Sequence, residues 1–126
     1  MIKILLVEDS IEDVKFVSIL LRQSFPNEHS LYTTDYFSKA TSLVLENPFD
    51  VIILDLSLPD SRGLNTLREL IDSCSIPIII YTGLTDELIK AEAFKCGASD
   101  YLIKGQTTAV GFKESILASL DRVEWK

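Results

Sequence analysis

Residues 2–10 of the chain read IKILLVEDS, an apolar run that ends in two carboxylates. A short run rich in Ile, Leu and Val predicts a strand that is buried on both faces of a sheet. Similar runs occur at residues 50–54, 76–81 and 101–103, with a weaker one at residues 30–34. The sequence therefore predicts five strands.

Amphipathic segments alternate with these strands. They lie at residues 11–24, 36–46, 62–72, 85–96 and 108–122. In the first segment Val14, Val17 and Leu21 recur at spacings of three and four, which is typical of a helix with one apolar face. Gly97 follows the fourth segment and is predicted to end that helix in a left-handed conformation. Strands joined by helices run parallel with right-handed crossovers, so every strand end that carries a following loop lies on one edge of the sheet.

Length and composition restrict the class of protein further. The chain has 126 residues, of which 47% are hydrophobic and 25% charged, as expected for one domain spanning residues 1–126. A net charge of −7 with scattered Lys and Arg residues argues against direct binding to nucleic acid. No apolar run approaches the roughly 18 residues needed to cross a bilayer and no signal peptide is evident, so we expect a cytoplasmic protein without a membrane partner. Cys74 and Cys96 lack metal-ligand spacing and are expected to be reduced thiols.

Polar side chains follow four of the five strands. Glu8 and Asp9 come after the first strand, Asp55 after the third, Thr82 after the fourth and Lys104 after the fifth. Ligands of open parallel sheets bind at this carboxyl edge. The sequence therefore predicts a site formed by these residues.

Their chemistry favours a divalent cation and a phosphoryl group. Three carboxylates at the mouth of a sheet repel one another unless protons or a cation relieve the repulsion. Mg²⁺ suits oxygen ligands such as Glu8, Asp9 and Asp55, whereas zinc would favour His or Cys. A carboxylate can accept a phosphoryl group, and Lys104 and the Thr82 hydroxyl can balance its charge. Individually each residue also fits an ordinary role, such as a helix cap, a loop carboxylate or a surface lysine.

Four motifs together resemble the receiver domains of response regulators. They are LVEDS at residues 6–10, DLSLPD at residues 55–60 with Gly63, YTG at residues 81–83, and the pattern GA-x-DYL-x-K at residues 97–104. The resemblance extends over essentially the whole chain. It implies a doubly wound, three-layer α/β/α sandwich with five parallel strands in the order 2-1-3-4-5.

The resemblance also implies roles for individual residues. Asp55 would be the phosphoacceptor, and Mg²⁺ would be held by Glu8, Asp9, Asp55 and the backbone carbonyl of Ser57. Lys104 would pair with the phosphoryl oxygens. Thr82 and Tyr101 would form a switch, in which Thr82 moves toward the phosphoryl group and Tyr101 turns inward.

The implied activity is that of a signalling switch. A sensor histidine kinase or phosphotransfer protein would phosphorylate Asp55, and the surface of the fourth helix, fifth strand and fifth helix would control an unidentified partner or output domain. The domain would assist its own phosphorylation and dephosphorylation without being a turnover enzyme. A homodimer is left open, with Trp125 packing either on its own domain or across the dimer.

The chain departs from the family at one position of this site. The family usually has proline after the lysine, whereas this chain has Gly105 after Lys104. Since a cis bond before a non-proline residue costs about 2.5–4 kcal/mol, we expect a trans peptide and an altered loop.

Other proteins with parallel sheets require residues that are missing here. A haloacid-dehalogenase-like phosphatase needs a second acid two residues after its nucleophile, where this chain has Ser57. A flavodoxin-like FMN protein must hold a phosphate in its first loop, and Glu8 and Asp9 would repel that phosphate. The P-loop and GxSxG motifs are absent. The remaining alternative is a protein-interaction module with the receiver fold that docks partners without being phosphorylated.

Overall fold

Strands and helices alternate along the chain as the sequence predicts. The computed structural model describes the backbone of residues 1–124 and the side chains of residues 1–121. In chain order the elements are β1 (Ile2–Val7), α1 (Ile11–Ser24), β2 (His29–Thr34), α2 (Phe37–Glu46), β3 (Val51–Leu54), α3 (Leu64–Ser73), β4 (Ile78–Thr82), α4 (Glu87–Cys96), β5 (Asp100–Ile103) and α5 (Ala109–Glu124). The five strands form one parallel sheet in the order β2-β1-β3-β4-β5, which confirms the predicted topology.

The helices cover both faces of the sheet. On β1, Leu5 and Val7 pack in one apolar cluster with side chains of α2, α3 and α4. Ile4 and Leu6 alternate with them and pack in a second cluster with side chains of α1 and α5. Because successive strand residues point to opposite faces, an unbroken apolar run is what a strand between two helical layers requires. The three-layer arrangement is confirmed.

The register of the strands aligns their carboxyl ends. Val7 lies beside Leu54, and Leu54 lies beside Ile80. The parallel pairing continues past the strands, since the Asp55 N–H donates to the Val7 carbonyl at 3.0 Å and the Lys104 N–H donates to the Thr82 carbonyl at 2.8 Å. These hydrogen bonds fix the backbone of both residues at the same edge.

Some element boundaries differ from those predicted. The fourth strand begins at Ile78 rather than residue 76, because Pro77 has no N–H to donate to a neighbouring strand. The Lys104–Gly105 peptide is trans, like every peptide bond among residues 1–124, and Gly105 has a φ of 85° that favours glycine. None of the helices within residues 1–124 is long and apolar enough to span a bilayer. Trp125, for which two packing arrangements were open, lies outside the described residues.

Gly97 ends α4 in the left-handed conformation predicted from the sequence. Its φ is 111° and its N–H donates to the carbonyls of Ala93 and Phe94. A Cβ atom at this position would lie 3.3 Å from Cδ1 of Ile71 on α3. Both the backbone conformation and the neighbouring side chain therefore favour glycine.

We expect Gly97→Ala to lower the free energy of unfolding by about 1–2 kcal/mol, because an L-residue is strained in this conformation. Urea unfolding monitored by circular dichroism measures the change. Gly83→Ala is the matched control, since Gly83 has no positive φ and a Cβ atom there would meet nothing within 4 Å. Equal losses of stability in the two variants would contradict this explanation.

Candidate functional site

Two carboxylates follow β1, and they differ in burial. Glu8 is only 2% exposed, whereas Asp9 is exposed. The Glu8 N–H donates to the Thr34 carbonyl at 2.9 Å, and Glu8 Oε2 accepts from the Ser10 N–H at 3.2 Å. Ser10, not Asp9, is the N-cap of α1. The first helix is therefore capped without Asp9, whose carboxylate remains at the edge.

Asp55 follows β3 and meets these carboxylates. It is 5% exposed. Glu8, Asp9 and Asp55 each offer one oxygen atom, and these atoms lie within 4.8 Å of one another. A set of three hard oxygen donors from two loops fits a hard divalent cation better than it fits zinc.

Lys104 lies between carboxylates of three elements. Its Nζ atom is 2.6 Å from Glu8 Oε1, 2.8 Å from Asp13 Oδ2 and 3.4 Å from Asp55 Oδ2. The ammonium also lies 5.8 Å from the centre of the Tyr81 ring. Burial alone would lower the pKa of Lys104, but hydrogen bonds to Asp13 and Glu8 and the charge of Asp55 raise it overall. Lys104 is therefore a permanent cation in this site.

One ammonium does not neutralise the whole cluster. Burial raises the pKa of Glu8 to about 7; the ion pair with Lys104 opposes this shift, and the neighbouring charge of Asp55 adds to it. Near neutral pH the folded chain therefore holds a carboxyl group that takes up a proton readily. A second cation in the cluster would displace that proton.

Thr82 and Tyr101 meet at the backbone of Leu84. Thr82 is buried, and its Oγ1 accepts from the Leu84 N–H at 3.4 Å. Tyr101 is 4% exposed and its hydroxyl donates to the Leu84 carbonyl at 2.9 Å. Tyr101 thus lies inward, and one residue of the loop after β4 links the two side chains.

The loop that follows Asp55 is tied at several points. Leu56 and Leu58 are buried, whereas Ser57 between them is exposed. The Gly63 N–H donates to the Leu56 carbonyl at 2.7 Å. Asp60 accepts from the N–H groups of residues 37 and 38 at 2.8 and 3.0 Å, and these bonds lower its pKa. The loop therefore supplies the N-terminal cap of α2 from a distant part of the sequence.

Asp13, which contacts Lys104, is a residue of this site that the sequence did not indicate. It lies in the first turn of α1, and its N–H donates to Oγ of the cap residue Ser10 at 3.3 Å. The sequence signal was its place in the first turn of a helix that begins at the carboxyl edge of the sheet. That signal does not indicate which side chain Asp13 meets, since Lys104 is 91 residues further along the chain.

The fold and site define an α/β domain with a half-buried lysine and an acidic cluster at the carboxyl edge of its sheet. Residues 4–113 match the response regulator receiver domain family. The chain belongs to this family, the receiver domains of two-component systems. The family that the four sequence motifs predict is confirmed.

Two response regulators are similar over most of this chain. ArlR of Staphylococcus saprophyticus is 36% identical over 107 residues, which are 82% of this chain and 46% of ArlR. The cell cycle transcriptional regulator CtrA of Caulobacter vibrioides is 33% identical over 103 residues, which are 81% of this chain and 43% of CtrA. The chain thus spans less than half the length of these relatives.

Solved structures have the same fold. A response regulator receiver domain from Clostridium thermocellum matches with a TM-score of 0.86 and 26% identity, covering 99% of this chain and 98% of that one. The Mn²⁺-bound form of the response regulator Rcp1 matches with a TM-score of 0.75 and 27% identity, covering 92% and 90% of the two chains.

The pKa of Glu8 predicts how stability depends on pH without divalent cations. Its pKa is about 7 in the folded chain and 4.5 ordinarily, so between these values the folded state binds more protons than the unfolded state. Stability from this group is present below the lower value and is lost as the pH rises through the upper one. In chelator, we expect the free energy of unfolding of the wild type to fall relative to that of Glu8→Gln, by on the order of 2 kcal/mol between pH 4.5 and pH 8.

Urea unfolding at several pH values measures this difference. Glu12→Gln is the control, because Glu12 is exposed in the same region and its variant should follow the wild-type curve. Parallel curves for the wild type and Glu8→Gln would contradict the assignment.

Proposed function

We propose that the chain is a phosphoacceptor receiver in which Asp55 takes a phosphoryl group from a sensor histidine kinase or phosphotransfer protein. The observation that carries this proposal is the position of Asp55. Its carboxylate lies among two other carboxylates and 3.4 Å from the Lys104 ammonium, at the carboxyl edge of the sheet. Membership of the receiver family supports the same role.

The acidic cluster is proposed to hold Mg²⁺. Glu8, Asp9 and Asp55 would supply carboxylate oxygens, and Ser57, two residues after Asp55, would add its backbone carbonyl. The related Rcp1 has been solved with Mn²⁺, another divalent cation that takes oxygen ligands. When bound, the cation neutralises negative charge on the carboxylates and on the phosphoryl oxygens.

The transfer step needs a nucleophile and positive charge. An oxygen of Asp55 attacks phosphorus, a P–O bond forms, and the P–N bond to the donor imidazole breaks. The leaving imidazole keeps the electron pair of that bond. Lys104 is close enough to Asp55 to pair with the phosphoryl oxygens. The Thr82 oxygen accepts from the Leu84 N–H, and its hydroxyl hydrogen can be donated to one of the phosphoryl oxygens. The domain thereby assists its own phosphorylation and dephosphorylation, and it acts as a signalling switch rather than a turnover enzyme.

The change at Asp55 is proposed to reach the surface through the loop after β4. Thr82 and Tyr101 both form hydrogen bonds with the backbone of Leu84. A movement of Thr82 toward the phosphoryl group would therefore shift Leu84 and alter the hydrogen bond that Tyr101 on β5 donates to it. The surface of α4, β5 and α5 would then control a partner, either another protein or an output domain. We further propose that residues 1–126 form a single receiver domain that works in the cytoplasm.

Mg²⁺ should raise the thermal unfolding temperature, because it binds the folded site and not the unfolded chain. At a concentration of about one hundred times its Kd the gain in stability is about 2.7 kcal/mol. Asp9→Ala should abolish this response, whereas Glu12→Ala, which removes an exposed carboxylate nearby, should keep it. Differential scanning fluorimetry with a Mg²⁺ titration tests this, and an unaltered response in Asp9→Ala would remove Asp9 from the metal site.

Acetyl phosphate with Mg²⁺ should add one phosphoryl group to the wild type. Intact mass spectrometry measures the gain, which should vanish in Asp55→Asn and in chelator. Asp72→Asn is the matched control, because Asp72 is an exposed carboxylate near the C-terminal end of α3, away from the carboxyl edge. No gain in the wild type, with beryllofluoride also failing to bind, would favour the docking module that needs no phosphorylation.

A further inference from the structure

Asp13 contacts Lys104 but does not belong to the acidic cluster. The distance from Asp13 Oδ2 to Lys104 Nζ is 2.8 Å, shorter than the 3.4 Å from Nζ to Asp55. The Asp13 side chain is 32% exposed, whereas those of Glu8 and Asp55 are almost completely buried. Lys104 is therefore held from the solvent side by a carboxylate outside the group that could hold a metal ion.

The backbone of Asp13 is fixed independently of the site. Its N–H donates to the N-cap Ser10 at 3.3 Å, so the first turn of α1 determines where its carboxylate lies. A lysine side chain has a flexible four-carbon stem, and its ammonium group can donate three hydrogen bonds. An anchor outside the cluster restricts that flexibility without occupying an oxygen of Asp55.

We infer that Asp13 is a positioning residue for phosphoryl transfer: it holds the Lys104 ammonium at the mouth of the site, facing the incoming phosphoryl group. This inference rests on the proposed function. Without Asp13, the ammonium is left to Glu8, at 2.6 Å, and Asp55. It then lies deeper in the cluster, where it competes with a metal for Glu8 and must move before it meets the phosphoryl oxygens.

A purely repulsive role for Asp13 predicts the opposite effect. Its negative charge would slow the approach of an anionic phosphodonor, so removing the charge would accelerate phosphorylation. Two substitutions separate the roles. Asp13→Ala removes both the charge and the hydrogen-bond acceptor, whereas Asp13→Asn keeps an acceptor oxygen and removes the charge.

The test is the rate of phosphorylation by acetyl phosphate at saturating Mg²⁺ and constant ionic strength, followed by intact mass over time. We expect Asp13→Ala to be slower by about ten-fold, as for the loss of an orienting hydrogen bond to a charged group. Asp13→Asn should recover most of this loss. Glu12→Ala, which alters the neighbouring exposed residue of the same helical turn, should match the wild type.

A double-mutant cycle with Lys104→Ala distinguishes positioning from a structural role. If Asp13 acts through Lys104, Asp13→Ala should cause no further loss in the Lys104→Ala background. An equal loss in both backgrounds, or a rate for Asp13→Ala at or above that of the wild type, would overturn the inference while leaving the proposed function intact. If Asp13→Ala does not fold, Asp13→Asn provides the comparison, and a rate increase in it would overturn the inference. A wild-type chain that accepts no phosphoryl group would overturn both proposals.

Discussion

The Lys104 ammonium holds together carboxylates that would otherwise repel one another. Glu8 comes from the end of β1, Asp55 from the end of β3 and Asp13 from α1, so one cation connects three separate parts of the chain. The parallel sheet makes this meeting possible, because it brings the carboxyl ends of β1, β3 and β5 to one edge. Removing any one carboxylate would alter the balance of charge around the others.

The charge of Lys104 does not neutralise all of these carboxylates. The negative charge that remains allows the site to bind a proton or a cation. A buried acid that is fully paired with a cation has little tendency to bind a proton or a metal ion. Glu8, with a pKa of about 7, retains that tendency in the folded chain. Binding of a proton or a cation at the edge is therefore favoured by the burial of Glu8, which the apolar packing on both faces of the sheet maintains.

The sequence was sufficient to predict the sheet, its helices and the residues that meet at its carboxyl edge. Apolar runs such as residues 2–7 are strong signals, because burial on both faces leaves few alternatives to a central strand. Contacts between side chains distant in sequence could not be predicted in this way. The pairing of Asp13 with Lys104 depends on the packing of α1 beside α5, the helix that follows β5. The bond from Tyr101 to Leu84 depends on the path of a loop. The boundary at Ile78 differed because the apolar pattern includes Pro77, which cannot donate to the sheet.

Asp60 holds the loop that follows Asp55 against α2. Its carboxylate accepts from the N–H groups of residues 37 and 38, and the buried Leu56 and Leu58 hold the same loop from within. Residues 83–86, on the other side of Asp55, are all exposed. Leu84 ties that loop to the sheet, because its N–H donates to Thr82 and its carbonyl accepts from Tyr101. The two loops beside Asp55 are therefore held in different ways, one by a neighbouring helix and the core, the other by side chains of β4 and β5.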